Sequence, residues 1–124
     1  MISLRLFKNM SIPDKNECNN LIYNNFGNNI LYDNVLVYIK NNKIIAVIVI
    51  NNNDNTLNQI CTNIEYRRRG IATELIESAK KLLKKPIYLN IEKNLNYNYL
   101  IDFFMKRGFK IEGETTEKFI MKYN

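Results

Sequence analysis

Arg67-Arg68-Arg69-Gly70-Ile71-Ala72 is the stretch of this chain whose residue types and spacing announce a chemistry. Behind the glycine, Ile71, Leu75, Ile76, Ala79, Leu82 and Leu83 recur at helical spacing, so a helix is expected to begin at the join. The first N–H groups of a helix have no partner inside it, and glycine lets a ligand approach that backbone closely. With the positive end of the helix dipole added, such a join binds phosphate. Just before it, Leu57 to Thr62 reads as a strand interrupted by Asn58, Gln59 and Thr62. Polar side chains on an interior strand need partners, and a ligand cleft supplies them. Cys61 is the nucleophile candidate of this region and Glu65 the nearest carboxylate; Gln59 and Asn58 could hold a water acting as base.

What is missing narrows the chemistry. The 124 residues include no histidine, which excludes a His base, a His-activated nucleophile and a His metal ligand, and with them a Ser-His-Asp triad. No metal is therefore expected. Cys18 and Cys61 lack metal-like spacing and are too few for a disulfide framework, so both are expected reduced in a cytoplasmic protein. Cys61, with no histidine to activate it, reads as a packed thiol. The net charge of +6 permits an anionic partner without choosing one, since charge speaks to association rather than fold. Neither a signal peptide nor an apolar run of the roughly 18–20 residues that span a bilayer is present.

The elements that must position the join follow from periodicity. A chain of this length is read as one domain, residues 1–124. A short strand is predicted over Ile2 to Phe7 and a helix over Lys15 to Phe26, with Ser11, Pro13 and Asp14 at its entry and Gly27-Asn28-Asn29 ending it. Val35 to Lys40 and Lys43 to Ile50 are β-branched runs joined by Asn41-Asn42, a link suited to a hairpin turn with positive φ. The second run is apolar on both sides, so helices should cover both faces of the sheet. The helix after the join should carry Glu74, Glu77, Lys80, Lys81 and Lys84 towards water, with Glu77 and Lys81 as an i,i+4 pair. Pro86 stops it, and Ile87 to Ile91 completes a right-handed parallel crossover. A helix over Tyr97 to Lys106, ended by Gly108, precedes a hairpin of Phe109 to Glu112 and Lys118 to Tyr123. The fold class is thus α/β (α+β), a mixed, mostly antiparallel central sheet with helices on both faces and one parallel crossover.

This element order resembles the GNAT acyltransferase superfamily across nearly the whole chain. Two motifs carry the resemblance. Arg67-Arg68-Arg69-Gly70-Ile71-Ala72 matches the family's acyl-CoA signature, Q/R-x-x-G-x-G/A, and Phe104-Met-Lys-Arg-Gly108-Phe109 matches its helix-ending pattern of an aromatic, three residues and Gly-Phe. The resemblance implies direct acetyl transfer from acetyl-CoA to an amine. It places the pyrophosphate on Arg67, Arg68, Arg69, Gly70, Ile71, Ala72 and Thr73. The pantetheine arm is placed along Cys61, Thr62, Asn63 and Ile64, on a strand splayed from the next one, with an asparagine contact at Asn94 or Asn96. The tyrosine acid that many members carry falls at Phe104, which cannot donate a proton and reads as an aromatic packing the core or the thioester. Tyr97 and Tyr99 open the same helix and could substitute. The expected partners are acetyl-CoA and an amine acceptor, with no membrane, nucleic acid disfavoured, and a monomer or homodimer. A non-catalytic acyl-CoA-binding module is the second reading, motivated by Phe104, and a basic nucleic-acid binder the third.

Overall fold

The computed structural model describes residues 1–26, 34–93 and 97–124. Its elements are β1 (Ile2–Leu6), α1 (Ile12–Phe26), β2 (Asn34–Lys40), β3 (Lys43–Asn51), β4 (Thr56–Thr62), α2 (Ile71–Leu82), β5 (Ile87–Glu92), α3 (Tyr97–Met105), β6 (Lys110–Glu114) and β7 (Lys118–Tyr123). Among the described residues, seven strands form one sheet in the order β1-β2-β3-β4-β5-β7-β6. Every neighbouring pair is antiparallel except β4 with β5. That parallel pair is closed by α2, as the strand–helix–strand pattern requires.

Apolar content decides which side of the sheet each helix covers. Ile44 to Ile50 of β3 are all buried, so this strand does need cover on both faces. On one face Leu36, Ile45, Ile48, Ile50 and Leu57 pack with Ile71, Leu75, Ile76 and Ala79 of α2 and Phe104 of α3. On the other, Val35, Val37, Val47, Val49 and Cys61 pack with Cys18 and Ile22 of α1. Burying one such aliphatic side chain contributes about 1.5–3 kcal/mol, so these two clusters hold the sheet and its helices together.

Local signals act where expected. Asn41 and Asn42 both adopt positive φ, 52° and 62°, at the turn between β2 and β3. The Asp14 N–H donates to Ser11 Oγ at 3.3 Å, so α1 starts at Ile12, with Pro13 in its first turn, three residues before the predicted start. The expected stop at 27–29 lies outside the described residues.

Three expectations change. Leu82 is 52% exposed while Leu83 is buried, because α2 ends at Leu82 and the chain turns extended at Leu83. Lys80 does not face water: its side chain is only 9% exposed, and Nζ pairs with Glu77 at 2.9 Å and also donates to the Arg107 carbonyl. The ion pair of Glu77 is therefore i,i+3 with Lys80 rather than the expected pair with Lys81. In the last hairpin, Phe109 enters the core instead of the strand, and β6 runs on from Lys110 to Glu114.

Candidate functional site

The site is built where β4 and β5 part. Their parallel pairing is confined to Thr56↔Tyr88 and Leu57↔Leu89. At that point β4 carries a bulge, since Gln59 faces Val49 and Leu57 faces Ile50, leaving Asn58 as the extra residue. A bulge bends its strand and raises the local twist, which accounts for β4 leaving β5 there. Beyond it, the Asn63 N–H donates to Ile45 O at 2.7 Å, so the alternation of an antiparallel ladder turns the main chain of Gln59, Cys61 and Asn63 to β3. Ile60 and Thr62 turn theirs to the opening. The bulge also resets the side chains: Leu57 and Ile60 lie with the α2 cluster, whereas Cys61 lies with the α1 cluster.

The opening leads to the start of α2. Asn63 caps a 3-10 turn, Ile64–Tyr66, by accepting from the Glu65 N–H at 3.0 Å. Arg67 Nε donates to Thr62 O at 3.0 Å and so closes the end of β4. Arg68 and Gly70 have φ of 64° and 78°. Backbone that alternates in this way turns N–H groups into an anion-binding concavity. The guanidinium of Arg69 lies 5.3 Å from the Tyr66 ring centroid and the Lys40 ammonium 5.6 Å from it, so cations gather on this side.

Gly70 is the N-cap of α2 and supplies no capping side chain. The first helical bond runs from the Glu74 N–H to Gly70 O at 3.0 Å, which leaves the N–H groups of Ile71, Ala72 and Thr73 ahead of the ladder. A Cβ built on Gly70 meets nothing within 4 Å. The glycine is thus needed for its positive φ and not for internal packing, and the space in front of the helix start is open.

The other expected residues separate. Gln59 is half-buried on the α1 face, Glu65 is exposed in the 3-10 turn, and Tyr97 packs its ring 5.5 Å from Phe119 on the α2 face, so these three are not brought to one point. Tyr99 is largely exposed and stacked on Phe103. Phe104 is 6% exposed, in edge-on contact with Phe103 and Phe109, a core position. Cys61 is buried and its thiol is pushed up to about 12 by burial, against the opposing pull of Arg67. A thiol so protonated is no nucleophile near neutral pH. Of the four strand-end positions Cys61, Thr62, Asn63 and Ile64, the main chain of Thr62 faces the opening, that of Cys61 and Asn63 faces β3, and Ile64 lies exposed in the turn. Asn94 and Asn96 lie outside the described residues. Ile60 was missing from the expected set, because the alternation that exposes its main chain depends on the bulge. Arg107 was missing too. Its Nε and Nη2 donate to Thr73 Oγ1 at 3.0 and 2.6 Å, across 34 residues. The one hint in the sequence was its place within Phe104-Met-Lys-Arg-Gly108-Phe109.

Among the described residues, no group of three or more His, Cys, Asp or Glu side chains could hold a metal ion, and no helix is long and apolar enough to cross a membrane.

The architecture is thus a mixed sheet opened between its two parallel strands, with a bare helix start following the opened strand. The family model of the acetyltransferase (GNAT) domain matches residues 19–121, and the chain belongs to that family. Among solved structures, an acyl-CoA N-acyltransferase from Pseudomonas aeruginosa is similar at a TM-score of 0.74 and 14% identity, over 100% of this chain and 99% of that one. The PaiA N-acetyltransferase from Thermoplasma acidophilum, solved with coenzyme A, gives 0.70 and 19% over 100% and 99%. Arabidopsis thaliana Naa50, solved with the bisubstrate analogue CoA-Ac-MVNAL, gives 0.71 and 15% over 99% and 98%. At these identities the likeness is one of fold. No curated protein matches the sequence.

Proposed function

We propose that the chain is an N-acetyltransferase that moves the acetyl group of acetyl-CoA directly to an amine of a small-molecule or protein acceptor. The observation that carries this reading is the parting of β4 from β5 beyond Leu57 together with the uncapped start of α2 that follows the same strand. A CoA thioester is long, anionic at one end and amide-bearing in its arm. The N–H groups of Ile71, Ala72 and Thr73, flanked by Arg67, Arg68 and Arg69, suit the pyrophosphate. The main-chain groups of Ile60 and the N–H of Thr62 turn to the opening and suit the pantetheine amides, which would pair with β4 where β5 does not, while the Thr62 carbonyl already accepts from Arg67.

Transfer requires the amine lone pair to attack the thioester carbonyl, forming the C–N bond as the C–S bond breaks, with one proton lost from the amine and one gained by the thiolate. An N–H of Ile60 or Thr62 is the donor available to the developing oxyanion. The phosphate end lies on the α2 face and Gln59 on the α1 face, so the acceptor would enter from the α1 side and meet the thioester in the opening. Glu65, Gln59 and Tyr97 are the base and acid candidates, and with Phe104 in the core, water would carry the proton where no side chain does. Proximity alone supplies a large part of such a rate. The protonated, packed thiol of Cys61 supports direct transfer over an acyl-cysteine intermediate. The free cysteines favour a cytoplasmic setting.

The buried Phe104 favours a second reading, a non-catalytic acyl-CoA-binding module. Calorimetric titration with acetyl-CoA, followed by thiol release over a panel of amines and peptides, separates the two. The enzyme reading expects binding and acceptor-dependent thiol release. Binding with no release across the panel favours the module, and absence of binding overturns both.

A further inference from the structure

The start of α2 has to be firm and bare at once. Loss of the usual capping side chain leaves its N–H groups open but also removes a contact that would order the first turn. Two things hold that turn from the sides. Ile71 is buried in the core, and Thr73 is held by Arg107. The guanidinium fills this role through geometry. Nε and Nη2 converge on Thr73 Oγ1, Nη1 donates to Phe103 O at 2.6 Å, and the guanidinium carbon lies 3.6 Å from the Phe103 ring centroid. Behind it, the Arg107 carbonyl accepts from Lys80, so the residue is fixed at its main chain as well as at its side chain.

We propose that Arg107 is a positioning residue for the phosphate end of the site: it fixes the first turn of α2 through the Thr73 hydroxyl and keeps a cation beside the bare N–H groups without covering them. This inference rests on the reading of that helix start as the site of the CoA phosphates. A planar fork that stacks on a ring and reaches two acceptors is specific to arginine, and a lysine could keep the charge but not the grip. A cation beside a helix N-terminus is unfavourable when nothing is bound and is compensated when an anion arrives, so its effect belongs to the phosphates rather than to the thioester arm.

The test uses the full chain as wild type, Arg107→Gln and Arg107→Lys, titrated with CoA by calorimetry and with pantetheine by NMR shifts into the millimolar range. Pantetheine keeps the arm and lacks every phosphate. Arg107→Gln should weaken CoA by about tenfold, Arg107→Lys by about threefold, and neither should change pantetheine. Thr73→Val, which removes the accepting hydroxyl and keeps the shape, should reproduce the selective loss if Arg107→Gln fails to fold. Unchanged CoA affinity in the variants, or an equal loss for both ligands, overturns the positioning role while leaving the site itself standing. A wild type that does not bind CoA removes the reading beneath it, and the inference falls with it.

Discussion

Two helix ends sit side by side in this protein and are finished in opposite ways. The start of α2 is bare: Gly70 offers no cap, and a Cβ placed on it would point into open space. The end of α3 is sealed. Lys80 donates to the carbonyl of Arg107, its ammonium lies 4.3 Å from the Tyr123 ring centroid, and a Cβ on Gly108 would come within 2.9 Å of Tyr123 Cε1. Both glycines have positive φ, 78° and 94°. One therefore faces open space and the other is packed within the chain, although both lie in motifs of the same family. Arg107 belongs to both ends, since its carbonyl helps close one and its guanidinium steadies the other.

Changing the two glycines separates these roles. Gly70→Asp should weaken CoA binding by at least about thirtyfold, because its carboxylate would occupy the N–H groups that receive phosphate and repel the ligand's charge. Asp tolerates positive φ better than most residues, so the strain at a φ of 78° should cost only about 1 kcal/mol and lower the melting temperature by a few degrees. Equal CoA affinity in the variant would dissolve the contrast between the two ends. Gly108→Ala should do the reverse. Strain at positive φ and the contact with Tyr123 should cost about 3 kcal/mol in denaturant unfolding, with CoA affinity changed little in the protein that remains folded. A fully stable Gly108→Ala variant would mean that this end is looser than its contacts imply.

An effect absent at neutral pH compares the two clusters rather than the two helix ends. Burial pushes the thiols of Cys18 and Cys61 up to about 12, from an ordinary value of 9.0. As pH rises through that window the unfolded chain ionises its thiols first, so it binds fewer protons than the native state and stability falls. Below pH 9 both states keep the proton and nothing is lost. Cys61→Ala should thus lose stability less steeply than wild type between about pH 9 and 12, by at most about 1.4 kcal/mol per pH unit. At pH 7 it should be slightly less stable because of the cavity. Parallel pH profiles would show that the thiol is not buried in solution.

Much of this arrangement is legible in the residues because local rules decide it. The β-branched runs, the Asn41-Asn42 turn, the apolar face of α2 and the glycine before it each follow from a period or a backbone preference. What was not legible depends on contacts between distant residues. Lys80 looks like one of several surface lysines, and the approach of Arg107, 27 residues away, and of the Tyr123 ring makes it a part-buried donor. The bulge at Asn58 has no sequence mark beyond the polar pair Asn58-Gln59, yet it decides which main-chain groups of β4 face the opening. For the same reason the sequence does not show that the main chain of Cys61 and Asn63 faces β3 while that of Ile60 and Thr62 faces the opening. The family motif located the helix start well, but a motif carries no register.

The most direct measurement is a crystal structure with acetyl-CoA bound. It should show pyrophosphate oxygens within about 3 Å of the backbone nitrogens of Ile71, Ala72 or Thr73, and the arm paired with Ile60 and Thr62 in the opening between β4 and β5. A cofactor lying elsewhere, with the start of α2 still bare, would contradict it.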